Sequence, residues 1–345
     1  MFYIRSVRKK DVGDLFELSQ KGFINLPPNK KIISKRVELS VNAFKKPSKN
    51  LWENYYIFVI EDVERKKIVG TSLIHSQHGT TQAPNFYLKV SEEHKFSKTL
   101  KKEMNHQILK LEADKHGVTE IGGLILHKDY RSHPEKLGKQ LSFVRFLYMS
   151  LYPKKFKPEV LAELLPPLDK NGNSIFWRSI GKKFMGMSYQ EADELSRYNK
   201  EFIVSLYPGH TIYTVLLPTN VRKMIGQVGP NTVPAKKLLE SVGFKYKNEV
   251  DPFDGGPNFS CRLSDIIPIK NKIVGKLDLE TPFDPDQAKN IMLKLETEKD
   301  FFTAVQTQAI LKKDGRIILP AETIHFALDI GAKMKEHMRL NAIFV

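Results

Sequence analysis

The stretch LILHKDYRSHPEKLGKQLSFVRF, residues 124–146, delivers an apolar run (Leu124, Ile125, Leu126) into a loop holding Arg131, Lys136, Gly138, Lys139 and Gln140. A helix is expected to begin in that loop. Free backbone N–H groups at a helix start, a glycine allowing close approach and nearby cations together suit a pyrophosphate. The same composition also fits an ordinary strand-to-helix connection, because many such loops carry one glycine and some lysines. A second candidate is DPFDGGPNFSC, residues 251–261, where Asp251 and Asp254 flank a tight Gly255-Gly256-Pro257 path. Those carboxylates could receive a cationic group, or simply cap the turn. The ten histidines are scattered without metal-ligand spacing, and no nucleophile elbow or phosphate-loop signature is found. No metal cofactor is expected.

These residues need elements to hold them. FYIRSVRKKDVGDLFELS reads as a short strand, then a helix capped by Asp11 with Val12, Leu15, Phe16 and Leu18 on its apolar face. GFINLPPNKK marks a loop, and KIISKRVELSVNAFKK a second helix. NYYIFVIEDVERKKIVGTSLIHSQ has the pattern of a hairpin. HKFSKTLKKEMNHQILKLE reads as extended and then helical, PEVLAELLPP as a strand, and NSIFWRSIGKKFMGMSY as a helix with a strand entry. In IGQVGPNTVPAKKLLESVGFKY, residues 225–246, Asn231, Ala235, Leu238 and Leu239 recur at helical spacing and Gly243 stops the helix. NSIFWRSIGKKF repeats that plan of asparagine, short helix, glycine and aromatic residue, as two half-related units or two capped helices.

The order of elements predicts an α+β protein with a mixed central sheet over the first 190 residues. Residues 191–268 continue it with helices and complete the site. KNKIVGKLDLETPFDPDQAKN reads as a linker, and residues 269–345 as a small β-barrel with an Asp-Gly turn at 314–315 and one short helix.

Composition sets the outer bounds. The 345 residues, 41% hydrophobic and 27% charged, describe a globular chain large enough for two or three domains. A single cysteine, Cys261, excludes an internal disulfide and suits a reducing, cytoplasmic setting. The N-terminal segment is too charged for a signal peptide, and the best apolar run, LSFVRFLYMSLYP, is short and interrupted by Arg145, so no membrane partner is expected. A net charge of +16 attracts polyanions, but the lysines are dispersed along the chain, as in a solvated basic surface, which argues against nucleic acid.

Taken together, IRSVRKKDVGDLFELS, FVIEDVERKKIVGTSLI, the Arg131–Gly138 loop, FWRSIGKKF, YPGHTIYTVLLP, IGQVGPNTVPAKKLLESVGFKYKNEVDPFDGGP and GRIILPAE resemble the arginine N-succinyltransferase family. That family belongs to the GNAT superfamily of acyl-CoA N-acyltransferases. The resemblance runs from residue 2 to the end. It implies a GNAT-type mixed sheet flanked by helices with a small C-terminal β-barrel. It also implies transfer of succinyl from succinyl-CoA to the α-amine of L-arginine or a related amine, in a homodimer or beside a paralogous subunit. By the same likeness, pantetheine lies between the strands Leu124–Leu126 and Val160–Glu163, Leu124 binds succinyl-CoA, and the pyrophosphate sits on Arg131–Gln140.

Two departures stand out. The family's phosphate loop is compact with two glycines, whereas RSHPEKLGK is longer and has Lys136 at the first glycine's place. The family's proton donor, a histidine in IGQV-His-Pro, is Gly229 here, which has no side chain for acid–base work. The tyrosine acid common in GNAT enzymes is also replaced, at its two equivalents, by Trp177 and Leu239. Candidates to replace the donor are His210, Cys261 and Glu163, at positions matching the family, and His127, which does not match. The alternative is a divergent or non-catalytic relative that binds acyl-CoA.

Overall fold

The computed structural model describes residues 1–20 and 28–345. Positions 21–27, which include the first part of the expected proline-marked loop, lie outside the described residues. The strands are β1 (Phe2–Ser6), β2 (Tyr55–Asp62), β3 (Lys67–His78), β4 (Asn85–Ser97), β5 (Lys102–Asp114), β6 (Val118–Leu126), β7 (Glu159–Glu163) and β8 (Ile212–Tyr213). They continue as β9 (Lys245–Val250), β10 (Pro257–Arg262), β11 (Ile273–Asp278), β12 (Lys289–Leu295), β13 (Thr303–Leu311), β14 (Arg316–Ile318) and β15 (Arg339–Phe344). The long helices of the first half are α1 (Val12–Ser19), α2 (Lys30–Lys45) and α3 (Leu137–Leu151). The chain forms two compact units: residues 1–77, 119–158 and 262–345 make the first, and residues 78–118 and 159–261 the second.

In the first unit the strand order β13-β1-β2-β3-β6 forms a helix-flanked layer, with β13–β1, β1–β2 and β2–β3 paired antiparallel. Alternation along β2 decides which helix covers which face. Ile57 and Val59 join Leu15, Leu18, Ile33 and Val37 from α1 and α2 in one core. Tyr56 and Phe58 point the other way, against Tyr148 of α3. The Asp11 side chain does not cap α1 as expected. Its carboxylate is drawn instead to buried Arg5, at 2.7 and 3.0 Å, and to the Arg8 backbone N–H.

The C-terminal strands close on themselves in the order β12-β15-β11-β14-β13, with β12 and β13 paired to complete a five-stranded barrel. Leu277, Ile291, Leu293, Ile317 and Ala342 fill it. The segment expected to be a linker contributes β11 and the start of β12. Its Leu277 is fully buried, and Gly275 lets β11 approach the Gly315 carbonyl, where a Cβ would collide. The Asp-Gly turn links β13 to β14 as expected, with Gly315 at φ +87°.

The second unit carries the order β7-β10-β9-β4-β5-β8. β4 and β5 pair continuously from Asn85–Asp114 to Ser97–Lys102, so the helix expected in HKFSKTLKKEMNHQILKLE is replaced by the second arm of a hairpin. Leu109, fully buried on that arm, gains more from sheet packing than helical propensity offers. NSIFWRSIGKKFMGMSY forms two short helices, Ile175–Ser179 and Gly181–Met185, and leads into another helix rather than a strand.

Candidate active site

In the first unit β6 carries Gly122 and Gly123 in succession. A Cβ on Gly122 would lie 3.3 Å from Glu120 Oε1, and one on Gly123, at φ +56°, would lie 2.7 Å from Leu73. Residues 75 and 73 alternate to the same face of β3, and Glu120 approaches His75, so both glycines turn toward that face. Two consecutive residues on one face are the mark of a bulge, which frees local backbone groups from ladder pairing. Leu124, Ile125 and Leu126 follow directly.

The chain then turns through Lys128–Tyr130 and reaches Lys136, which adopts the left-handed conformation (φ 51°, ψ 51°). The turn that a glycine would enter freely is therefore kept despite the lysine, at a backbone cost. No side chain caps the N-terminus of α3. Arg131 and Lys136 stand before it and Lys139 on its first turn. Burial, then repulsion from Lys136, lowers the Lys139 ammonium below its usual range. Gln140 donates to the Glu135 carbonyl at 2.9 Å, while its buried Oε1 has no partner. Open N–H groups, the positive end of a 15-residue helix and nearby cations make an anion site. His127 is instead a local prop, its Nδ1 accepting from the Asp129 N–H.

In the second unit the Asp251–Pro257 turn is held from several sides. Asp251 Oδ1 accepts from the Phe253 and Asp254 N–H groups at 2.7 and 3.0 Å. Asp254 accepts from the Gly256 N–H at 2.8 Å and from the Tyr189 hydroxyl at 3.3 Å. Trp177 stacks on Phe253 at 5.1 Å, and Gly255 (φ +76°) lies against Phe176. Burial, reinforced by Asp193, pushes the Asp251 carboxyl up to about 6 against the pull of its N–H donors and Lys200. Burial, then Asp251, and also Glu163 raise Asp254 well above the usual carboxylate range. Glu163, at the end of β7, thus acts electrostatically on Asp254.

Segment Leu164–Pro166 joins this turn to Gly229. Leu164 donates to the Pro257 carbonyl at 3.1 Å, and Gly229 donates to the Leu165 carbonyl at 2.8 Å. A Cβ at Gly229 would sit 2.7 Å from the Pro166 carbonyl oxygen. The backbone has therefore closed over the space that a side chain at this position would enter. The helix after it runs Val233–Ser241 and ends at Gly243 (φ +106°), as its spacing predicts. Of the other candidates, His210 is exposed and makes no hydrogen bond or ion pair among the described residues, and Cys261 is buried on β10. Tyr189, whose hydroxyl meets Asp254, escaped sequence reasoning, because nothing in its own segment marks it.

A strand carrying a left-handed glycine, a cationic helix start behind it and a helix-flanked sheet fit the N-acyltransferase class. The comparisons narrow this. The profile of the family described as AstA, arginine N-succinyltransferase beta subunit, matches residues 2–268. Arginine N-succinyltransferase of Yersinia pseudotuberculosis is 32% identical over 100% of this chain and 98% of its own length. That of Shigella dysenteriae is 36% identical over 78% of each chain. The solved structure of arginine/ornithine succinyltransferase subunit AI from Pseudomonas aeruginosa superposes with a TM-score of 0.83 at 24% identity, over 100% of this chain and 98% of that one. The chain belongs to the arginine N-succinyltransferase family, a family of acyltransferases with the GNAT-type fold.

Proposed function

We propose that the protein transfers the succinyl group of succinyl-CoA to the α-amine of L-arginine. The observation that carries this reading is the cationic start of α3, reached by one loop from the glycine-bearing β6, in a chain of this family. The pyrophosphate is taken by the α3 N-terminus with Arg131, Lys136, Gly138, Lys139 and Gln140, and the thioester lies along Leu124–Leu126. A backbone N–H freed at the bulge polarises the thioester carbonyl. The arginine ammonium loses a proton, its nitrogen attacks the carbonyl carbon, and the C–S bond breaks as the thiolate is protonated. Asp251 and Asp254 supply the negative charge for the cationic acceptor, and Glu163 handles the proton in place of a side chain at residue 229. His210 and Cys261 are the reserve candidates for that role. Losing one general acid costs about 10²–10⁴-fold in rate, so Gly229 lowers turnover without abolishing it.

The same reading places the protein in the cytoplasm, as a homodimer or beside a paralogous subunit. Exposed Phe96, Leu100 and Met104 at the β4–β5 tip support an association surface. Among the described residues no helix is long and apolar enough to cross a membrane. The test is product identity. Incubation with succinyl-CoA and L-arginine should yield the α-N-succinyl amide by NMR. Acylation of the guanidinium, or no amide, would overturn the reading.

A further inference from the structure

Two guanidinium groups are buried in the first unit, with opposite surroundings. Arg5 meets Asp11 at 2.7 Å and Glu61 at 2.6 Å. Burial alone would lower its pKa, but these carboxylates raise it. Arg145, 3% exposed in the middle of α3, has no carboxylate partner among the described residues. It donates to the Ser142 carbonyl (3.2 Å), the Ser142 hydroxyl (2.6 Å) and, at 3.5 Å, the Gly122 carbonyl. Burial pushes it down to about 9. A buried cation without a counter-charge is costly, and removing the cost needs an anion at that place.

The place is informative. Gly122 lies on β6 two residues before Leu124, so Arg145 contacts backbone next to the stretch that the proposed function gives to the thioester. Along α3 it lies eight residues beyond Leu137, about 12 Å from the phosphate-binding end at 1.5 Å per residue. Two turns of helix thus separate it from the cations there. We infer that Arg145 sets acyl-donor specificity: its guanidinium receives the free carboxylate of a dicarboxylic acyl group, with the Ser142 hydroxyl orienting it. This rests on the acyltransfer reading above. A neutral acyl chain would leave the cation unpaired; a succinyl chain supplies one carboxylate, in the bidentate geometry that arginine favours.

The test compares succinyl-CoA with butyryl-CoA, similar in length but uncharged, using arginine as acceptor. Wild type should prefer succinyl-CoA in kcat/KM, Arg145→Met should collapse that preference by about 100-fold, and Arg145→Lys should restore part of it. Binding of free CoA reports whether each variant is folded. A measurement on the wild-type protein needs no variant: the methyl ester of succinyl-CoA should lose the same factor. An undiminished rate with the ester, an unchanged donor ratio in Arg145→Met, or an equal fall with both donors would overturn the inference; the last would leave Arg145 a prop for Gly122. If wild type releases no CoA from either donor, it is the acyltransfer reading that fails. If it turns over both equally, only the specificity inference fails.

Discussion

At the start of α3, cationic side chains surround backbone N–H groups that no side chain caps; at the Asp251–Pro257 turn, the carboxylates already hold N–H and hydroxyl donors. The second region has its hydrogen bonds, and burial, reinforced by neighbouring carboxylates, raises both aspartates above the usual carboxylate range. The two regions differ in kind, and the proposed function matches each to its ligand: the anionic pyrophosphate to the cationic start of α3, and the cationic acceptor to the acidic turn. The N-terminus of α2 is the internal control, because the Asn29 side chain caps it by accepting from the Lys31 and Ile32 N–H groups.

The largest change should come from replacing one carboxyl of the acidic turn while keeping its shape. Asp254→Asn should lower kcat/KM for arginine by about 100-fold, with CoA binding unaltered in calorimetry. Next is pH. The Asp251 carboxyl, raised to about 6 from 3.8, binds its proton more tightly in the folded state. Its contribution to stability therefore falls as pH rises from about 4 to about 6, and is level above that. Over the same window the arginine KM should fall as charge appears, by up to about tenfold per pH unit, and Asp251→Asn should flatten that profile. Gly138→Asp should fill the open terminus of α3, weakening CoA about tenfold while raising Tm, since an acid there complements the helix dipole. Gly229→His tests the lost donor. Sequence reasoning expects a gain in activity if the surroundings can receive the imidazole. The Pro166 carbonyl instead predicts a destabilisation of about 1–3 kcal/mol and no gain in kcat. The smallest effect belongs to the control: Asn29→Ala should cost about 1 kcal/mol in denaturant unfolding and leave CoA affinity alone.

Much of this comparison is legible in the residues themselves. Apolar Leu124–Leu126 followed by basic residues and Gly138 announces the strand, loop and helix, and Asp254-Gly255-Gly256-Pro257 announces a strained acidic turn. Features that depend on distant partners are not legible. Lys102–Asp114 has helical composition but finds a continuous partner in β4, and Asp11 leaves its capping role for an arginine seated on the adjoining strand. Gly229 illustrates both sides: its missing side chain is plain in the sequence, whereas the closure of Pro166 over it requires the fold. Arg145 is visible as a charge in an apolar helix, but only the fold shows that no carboxylate among the described residues pairs with it.

The most direct measurement is the initial rate of CoA thiol release from succinyl-CoA at saturating L-arginine, read against the arginine-free background. A rate dependent on arginine and saturable in both substrates is the predicted result. Release no faster than background, from protein that binds CoA, would contradict the account.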